Sequence, residues 1–267
     1  MDQYCDIAVK GGPMRAIRWI LCALLVVTAA LYAATGVMEH FSGTDKAPVI
    51  ECSEELLQVS VRASETELLA GVTAWDDRDG DLTERIIVGG VSKLIGTDLA
   101  NVTCLVFDSD DNMASLTRQV RYTDYRRPTF RLTEPLEFSS TKEARLLDRI
   151  RVTDSVDGDI SDKARVSTLW ATDNDQVYSA TITVTNSMGD IADVEVPVII
   201  RNTPSSIRLR QQIVYVRVGE HFDPMDHVST GRTGLTARCD GTTEEPGCWW
   251  VWYENSSDFA IMTVVVE

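Results

Sequence analysis

Thr73-Ala-Trp-Asp-Asp-Arg-Asp-Gly-Asp-Leu-Thr83 returns later in the chain as Val152-Thr-Asp-Ser-Val-Asp-Gly-Asp-Ile-Ser161. Both copies have a β-rich approach, an Asp, then Asp-Gly-Asp, an aliphatic residue and a hydroxyl residue. Asp79 and Asp157 lie 78 residues apart, the length of a small β-sandwich. An internal repeat decides the architecture before any local reading does.

Working outward from these copies, three prolines mark the starts of units. Pro48-Val-Ile-Glu-Cys52, Pro128-Thr-Phe-Arg-Leu132 and Pro204-Ser-Ser-Ile-Arg-Leu209 each open a strand. Proline suits a first strand position because it has no N–H to give to the ladder. The units therefore run over residues 48–127, 128–203 and 204–267. Each closes with an alternating strand, a polar turn and a second alternating strand. The turns are Asp108-Ser-Asp-Asp-Asn112, Asn186-Ser-Met-Gly-Asp190 and Asn255-Ser-Ser-Asp258. Short alternating strands broken at regular intervals by turn residues predict tandem immunoglobulin-like β-sandwiches.

This order of strand, Asp-Gly-Asp, strand, polar turn and closing strand resembles the bacterial immunoglobulin-like surface repeats of the DUF5011 and HYR-like type. The resemblance covers residues 48–203. Unit three is a divergent copy, with Gly231-Arg-Thr-Gly234 where Asp-Gly-Asp should stand. The resemblance implies a stalk or adhesive module on a cell envelope, and not an enzyme.

Taking Asp108, Asn186 and Asn255 as equivalent sets the register, since a strand repeats its side-chain direction every two residues. Ala180, Ile182 and Val184 then face inward, and so do Val102, Cys104 and Val106. Cys52 aligns with Leu132 and also faces the core, which predicts a Cys52–Cys104 disulfide. Closing a loop of that length would add roughly 3–4 kcal/mol on the chain-entropy model. Two buried thiols acting as small apolar residues are the alternative. Cys239 and Cys248 pair by default across the polar loop between them. The same register turns Trp249, Val251 and Tyr253 inward, and Trp250 and Trp252 outward. Two outward indoles suggest a ligand-binding face for a sugar ring or a protein; packing against unit two is the competing reading.

In the Asp-rich turns, Asp76, Asp77, Asp79 and Asp81, and in the second copy Asp154, Asp157 and Asp159, form the candidate metal site. Closely spaced carboxylates suit Ca²⁺, but the spacing is not that of an EF-hand. The alternative is turn chemistry, in which Asp oxygens accept from nearby backbone N–H groups. No other cofactor is implied. His221, His227, Asp223 and Asp226 share a loop in unit three without a recognisable ligand spacing, and no nucleophile–base pattern is present.

Residues 19–38 form an uncharged stretch, preceded by Lys10, Arg15 and Arg18 and followed by Glu39 and Asp45. Twenty uncharged, mainly apolar residues are about the length that spans a bilayer, and the flanking charges put the N-terminus inside. This predicts a cytoplasmic segment 1–18, a transmembrane anchor 19–38, a linker 39–47 and an extracytoplasmic remainder. Ala33 and Ala34 also fit a cleaved signal peptide, although the run is long for one. A balance of 25 basic to 41 acidic residues, or −16 overall, argues against nucleic acid as a partner. The expected partners are the membrane and a protein or polysaccharide of the envelope. The expected role is a non-enzymatic stalk, adhesion or interaction module.

Overall fold

The computed structural model describes residues 21, 24–32 and 46–267, with residue 232 excepted. Residues 24–32 are helical and exposed. Among the described residues no helix is long and apolar enough to cross a membrane. The cytoplasmic segment 1–18, most of the linker and the rest of the anchor stretch lie outside the described residues.

From Val49 onward the chain is built of β-strands. The first set comprises β1 (Val49–Cys52), β2 (Leu56–Val59), β3 (Val72–Asp76), β4 (Gly80–Asp81), β5 (Ile87–Val91), β6 (Leu99–Phe107) and β7 (Met113–Tyr122). They form two sheets, ordered β1-β3-β4 and β2-β7-β6-β5. The second set follows with β8 (Thr129–Leu132), β9 (Glu137–Phe138), β10 (Ile150–Asp154), β11 (Gly158–Asp159), β12 (Arg165–Ala171), β13 (Val177–Thr185) and β14 (Ile191–Ile200). Its sheets, β11-β10-β8 and β12-β13-β14-β9, repeat the first pattern strand for strand. In both sets the short second strand pairs in parallel with the last one, β2 with β7 and β9 with β14.

The third set is β15 (Arg208–Leu209), β16 (Ile213–Val216), β17 (Val228–Thr230), β18 (Thr236–Cys239), β19 (Gly247–Glu254) and β20 (Phe259–Val266). Its sheets are β15-β17 and β16-β20-β19-β18. A counterpart of β4 and β11 is missing among the described residues. Those two-residue strands consist of the Gly-Asp of each Asp-Gly-Asp turn, with Gly80 and Gly158 at positive φ. Unit three lacks the motif, so it lacks the strand.

Alternation selects the core as the register predicts. Val102, Cys104 and Val106 are fully buried, as are Ala180 and Ile182, with Val184 nearly so. Val251 and Tyr253 occupy the matching positions in the third core. Phe130 and Leu132 line the second core, while Ile50 and Cys52 pack against the first.

The cysteines share the predicted direction in one pair only, and all four described cysteines are free thiols. Cys52 and Cys104 do face one core, but no bond joins them. Cys239 and Cys248 cannot meet, for a reason written in the ladder. Cys239 lies opposite Val251, whereas Cys248 lies opposite Val265. Cys248 is therefore three residues from the position facing Cys239, and an odd offset puts the two side chains on opposite faces of the sheet. Its Sγ reaches the Glu195 carbonyl at 3.6 Å instead.

Ile182 has no exposed surface and sits at the centre of the second core. Truncating it to alanine leaves a cavity that the flanking sheets cannot fill. Urea denaturation of Ile182→Ala should show a loss of about 2–5 kcal/mol, against no more than about 0.5 kcal/mol for a change at an exposed surface position.

Candidate functional site

The Asp-rich turns were the first candidate, and their geometry accounts for each motif carboxylate. Asp76 Oδ1 accepts from the N–H groups of Arg78 and Asp79, both at 2.8 Å. Asp154 Oδ1 repeats this with Val156 at 2.9 Å and Asp157 at 2.8 Å. Asp81 and Asp159 accept from the backbone N–H of Thr83 at 2.9 Å and Ser161 at 3.0 Å, starting the short turn that follows. Side-chain oxygens placed this way close an Asx turn, and Gly supplies the positive φ at its end.

Asp79 and Asp157 have a longer reach. Asp79 accepts from Ser109 N–H at 2.6 Å and Ser109 Oγ–H at 2.8 Å. Asp157 accepts from Ser187 N–H at 2.7 Å and Ser187 Oγ–H at 2.5 Å, with Lys163 Nζ at 2.9 Å. Each clasp ties the turn of the small sheet to the closing hairpin of the large one. Ser109 holds the Asp79 carboxyl below the usual carboxylate range, and Ser187 does the same for Asp157 against the opposing effect of burial.

Asp77 stands apart, exposed and near Lys46 at 3.7 Å. Among the described residues no group of three or more His, Cys, Asp or Glu side chains converges in a way that could hold a metal ion. Turn closure is the chemistry these oxygens display. In the third-unit loop, Asp223 accepts from Met225 N–H at 2.8 Å and His227 stacks on Phe222 with centroids 5.2 Å apart.

Trp250 and Trp252 were the second candidate. They do point away from the third core, as the register predicts, but they do not meet solvent. Each is only 9% exposed and packs with Val177, Ile199 and Ile261 in a separate cluster between β13–β14 and β19–β20. The Trp250 Nε1–H donates to the Glu195 carbonyl at 3.3 Å, and Trp252 Nε1–H to Asp240 Oδ2 at 2.7 Å. A sugar platform needs an open ring face, so the expectation of a ligand-binding pair is corrected. Outward from one core here means inward against the neighbouring sheet.

Among the described residues the exposed indoles are Trp75, at 59%, and Trp170, at 66%. Sequence reasoning passed over them. Applying the same alternation to β3, where Ala74 is buried, would have turned Trp75 outward.

Both junctions are held by a repeated device. In the first, Asp190 at the end of the unit-two hairpin turn accepts from Tyr125 Oη–H at 2.7 Å and pairs with Arg127 Nε at 3.2 Å. In the second, Asp258 at the same place in unit three pairs with Arg201 Nη1 at 2.9 Å. Arg201 Nη2 also reaches Glu137 Oε1 at 2.7 Å, and its guanidinium lies 4.7 Å from the Phe259 ring centroid. Ser205 and Ser206 add hydroxyl donors to Asp258 at 3.0 and 2.8 Å. An arginine just before each of the two later units thus grips the hairpin acid of the unit that follows.

No protein-family model matches the chain, and no curated protein matches it. Among solved structures it is similar to a Clostridium perfringens ZmpB chain carrying CBM51-2, in complex with GlcNAc, and INT domains. That likeness has 17% identity over 55% of this chain and 26% of that one, with a TM-score of 0.24. The chain thus spans about a quarter of the length of that protein's solved piece. It is also similar to the lipoprotein BT2262 from Bacteroides thetaiotaomicron, at 10% identity over 81% and 98% of the two chains and a TM-score of 0.22. A third likeness is to the protocadherin GammaB4 extracellular domain, at 12% identity over 83% and 50%, with a TM-score of 0.20. Superpositions this loose carry no argument about what the chain does.

The clasp carboxylates predict acid sensitivity with a definite sign. A carboxyl whose pKa is lowered by folding contributes stability above its unfolded pKa, and that contribution is lost as pH falls through the folded value. Melting temperature should therefore hold above about pH 5 and drop below about pH 4. Asp157→Asn, which cannot ionise, should start lower at neutral pH and lose less between those two values.

Proposed function

We propose that the chain is a non-catalytic interaction protein of the cell envelope, anchored by residues 19–38 with its β-units outside the cytoplasm. In this reading the units form a stiff arm of DUF5011/HYR-like modules that positions a binding surface away from the membrane. The observation that carries it is the construction of the junctions. A freely hinged string of domains has polar, lightly contacted linkers. Here Trp250 and Trp252 are buried against unit two, and Arg201 is buried between two carboxylates. The ionisable groups of the motif serve turns and junctions, which supports a mechanical role and not a chemical one. The −16 charge supports a solvated partner-binding surface over contact with nucleic acid.

The N-terminal charge pattern supports the orientation, and a membrane-impermeant maleimide tests it. Cys239 is exposed and should be labelled in spheroplasts before lysis. Labelling only after lysis would overturn the extracytoplasmic placement.

Stiffness is tested by calorimetry on the full chain. Units two and three should melt together in one transition, because neither can separate without exposing the tryptophan cluster. Arg201→Ala leaves Glu137 and Asp258 without their cation and should cost about 3–5 kcal/mol, splitting that transition into two. Separate transitions for units two and three already present in the wild-type chain would refute the stiff arm.

A further inference from the structure

Acidic residues outnumber basic ones by 41 to 25, so a groove that gathers several arginines around a single acid stands out against the rest of the chain. A groove of about 1040 Å³ runs where the first junction, β8 and β16 come together, bordered by Arg126, Arg127, Arg131 and Arg217. Arg127 is engaged by Asp190. Arg126 and Arg217 make their contacts through backbone N–H groups, to Ser155 Oγ at 3.1 Å and Glu220 Oε2 at 3.1 Å. Among the described residues, the guanidinium groups of Arg126, Arg131 and Arg217 have no hydrogen-bond or ion-pair partner. The groove holds one acid, Glu267, against these four cations. Like charges brought together from three separate segments repel one another, and Asp190 and Glu267 offset that repulsion only in part.

Two sheet edges border the groove. β8 is the outermost strand of the sheet β11-β10-β8, and β16 is the outermost strand of β16-β20-β19-β18. The Phe130 N–H on β8 is met by the Tyr215 hydroxyl at 2.7 Å and not by a neighbouring strand. Outermost strands carry unpaired N–H and C=O groups at the spacing of an extended peptide.

We propose that this groove binds an extended acidic peptide segment of a partner protein. The arginines pair its carboxylates through their forked donors, and the strand edges engage its backbone. A polysaccharide fits less well, since sugar rings stack on open aromatic faces. The aromatic groups here are Phe130, which is buried, and Tyr215, which is half-buried with its hydroxyl already engaged. The inference rests on the reading of the chain as an interaction protein and supplies the chemistry of its partner.

Fluorescence anisotropy on the full chain tests it, with a labelled peptide of alternating Glu and Val as probe. Binding should weaken by about tenfold when the peptide's Glu residues are replaced by Gln, and by at least about tenfold in Arg131→Gln/Arg217→Gln. Both arginines are exposed, and an unchanged circular dichroism spectrum verifies the fold. Arg145→Gln, an exposed arginine elsewhere, should bind as the wild type does. Three outcomes would overturn the proposal. These are failure of the Glu-Val peptide to bind, equal affinity in wild type and double variant, and a sulfated oligosaccharide binding in an Arg131/Arg217-dependent way that the peptide does not displace. Failure of the maleimide experiment instead would move the chain out of the envelope while leaving the groove result intact, so the two readings fail separately.

Discussion

The structure depends on a carboxylate clasping a serine across the end of each of the first two sandwiches. Two sheets packed face to face are held along their centres by buried aliphatics, but their ends are free to splay unless something spans them. Asp79 with Ser109, and Asp157 with Ser187, do that with two hydrogen bonds apiece. The clasp explains why the Asp-Gly-Asp stretch recurs at a fixed distance before the polar hairpin turn. The first Asp closes a local turn, the second reaches the hairpin, and the third starts the segment leading back into the large sheet. Each of the three positions serves a different part of the frame, and calcium is not needed to account for any of them.

Where the clasp is absent, the structure uses its neighbour. Unit three has no Asp-Gly-Asp and no counterpart of β4. Its hairpin acid, Asp258, is held by Arg201, Ser205 and Ser206 at the junction, as Asp190 is held by Arg127 and Tyr125. Burial lifts the Asp258 carboxyl, but hydrogen bonds from Ser206 and Ser205 outweigh it and hold the group below the usual range. The Glu195 carbonyl accepts from Trp250 Nε1–H, Thr263 Oγ1–H and the Cys248 thiol, so one backbone group of unit two receives three donors from unit three.

Much of this frame was legible in residues 48–267. Period-two alternation identified the inward sets, and the three hairpin turns at Asp108, Asn186 and Asn255 do play equivalent roles, each closing its turn through its own side chain. What alternation cannot report is what lies beyond the sheet. It turned Trp250 and Trp252 away from their own core correctly, yet their exposure depends on whether a second sheet stands opposite. The cysteine pairings failed for related reasons. Cys52 and Cys104 share a core, but sharing a core does not bring two side chains to bonding distance. Cys239 and Cys248 are close in sequence, but the β18–β19 register sets them on opposite faces. The arginine groove was invisible for the simplest reason. Arg126, Arg131 and Arg217 are scattered along the chain, and only the packing of β8 beside β16 assembles them.

The borrowed support of unit three bears on how such an array can change over generations. Units one and two each carry their clasp within their own stretch of chain, although unit two takes the partners of its hairpin acid Asp190, Tyr125 and Arg127, from unit one. Unit three keeps part of its folding instructions in Glu137, Glu195 and Arg201, which lie outside its own stretch. Copied alone into another array, it would arrive with two bare tryptophans and a hairpin acid without its cation. The heritable block here is therefore larger than the single repeat, and the tie is heaviest between units two and three.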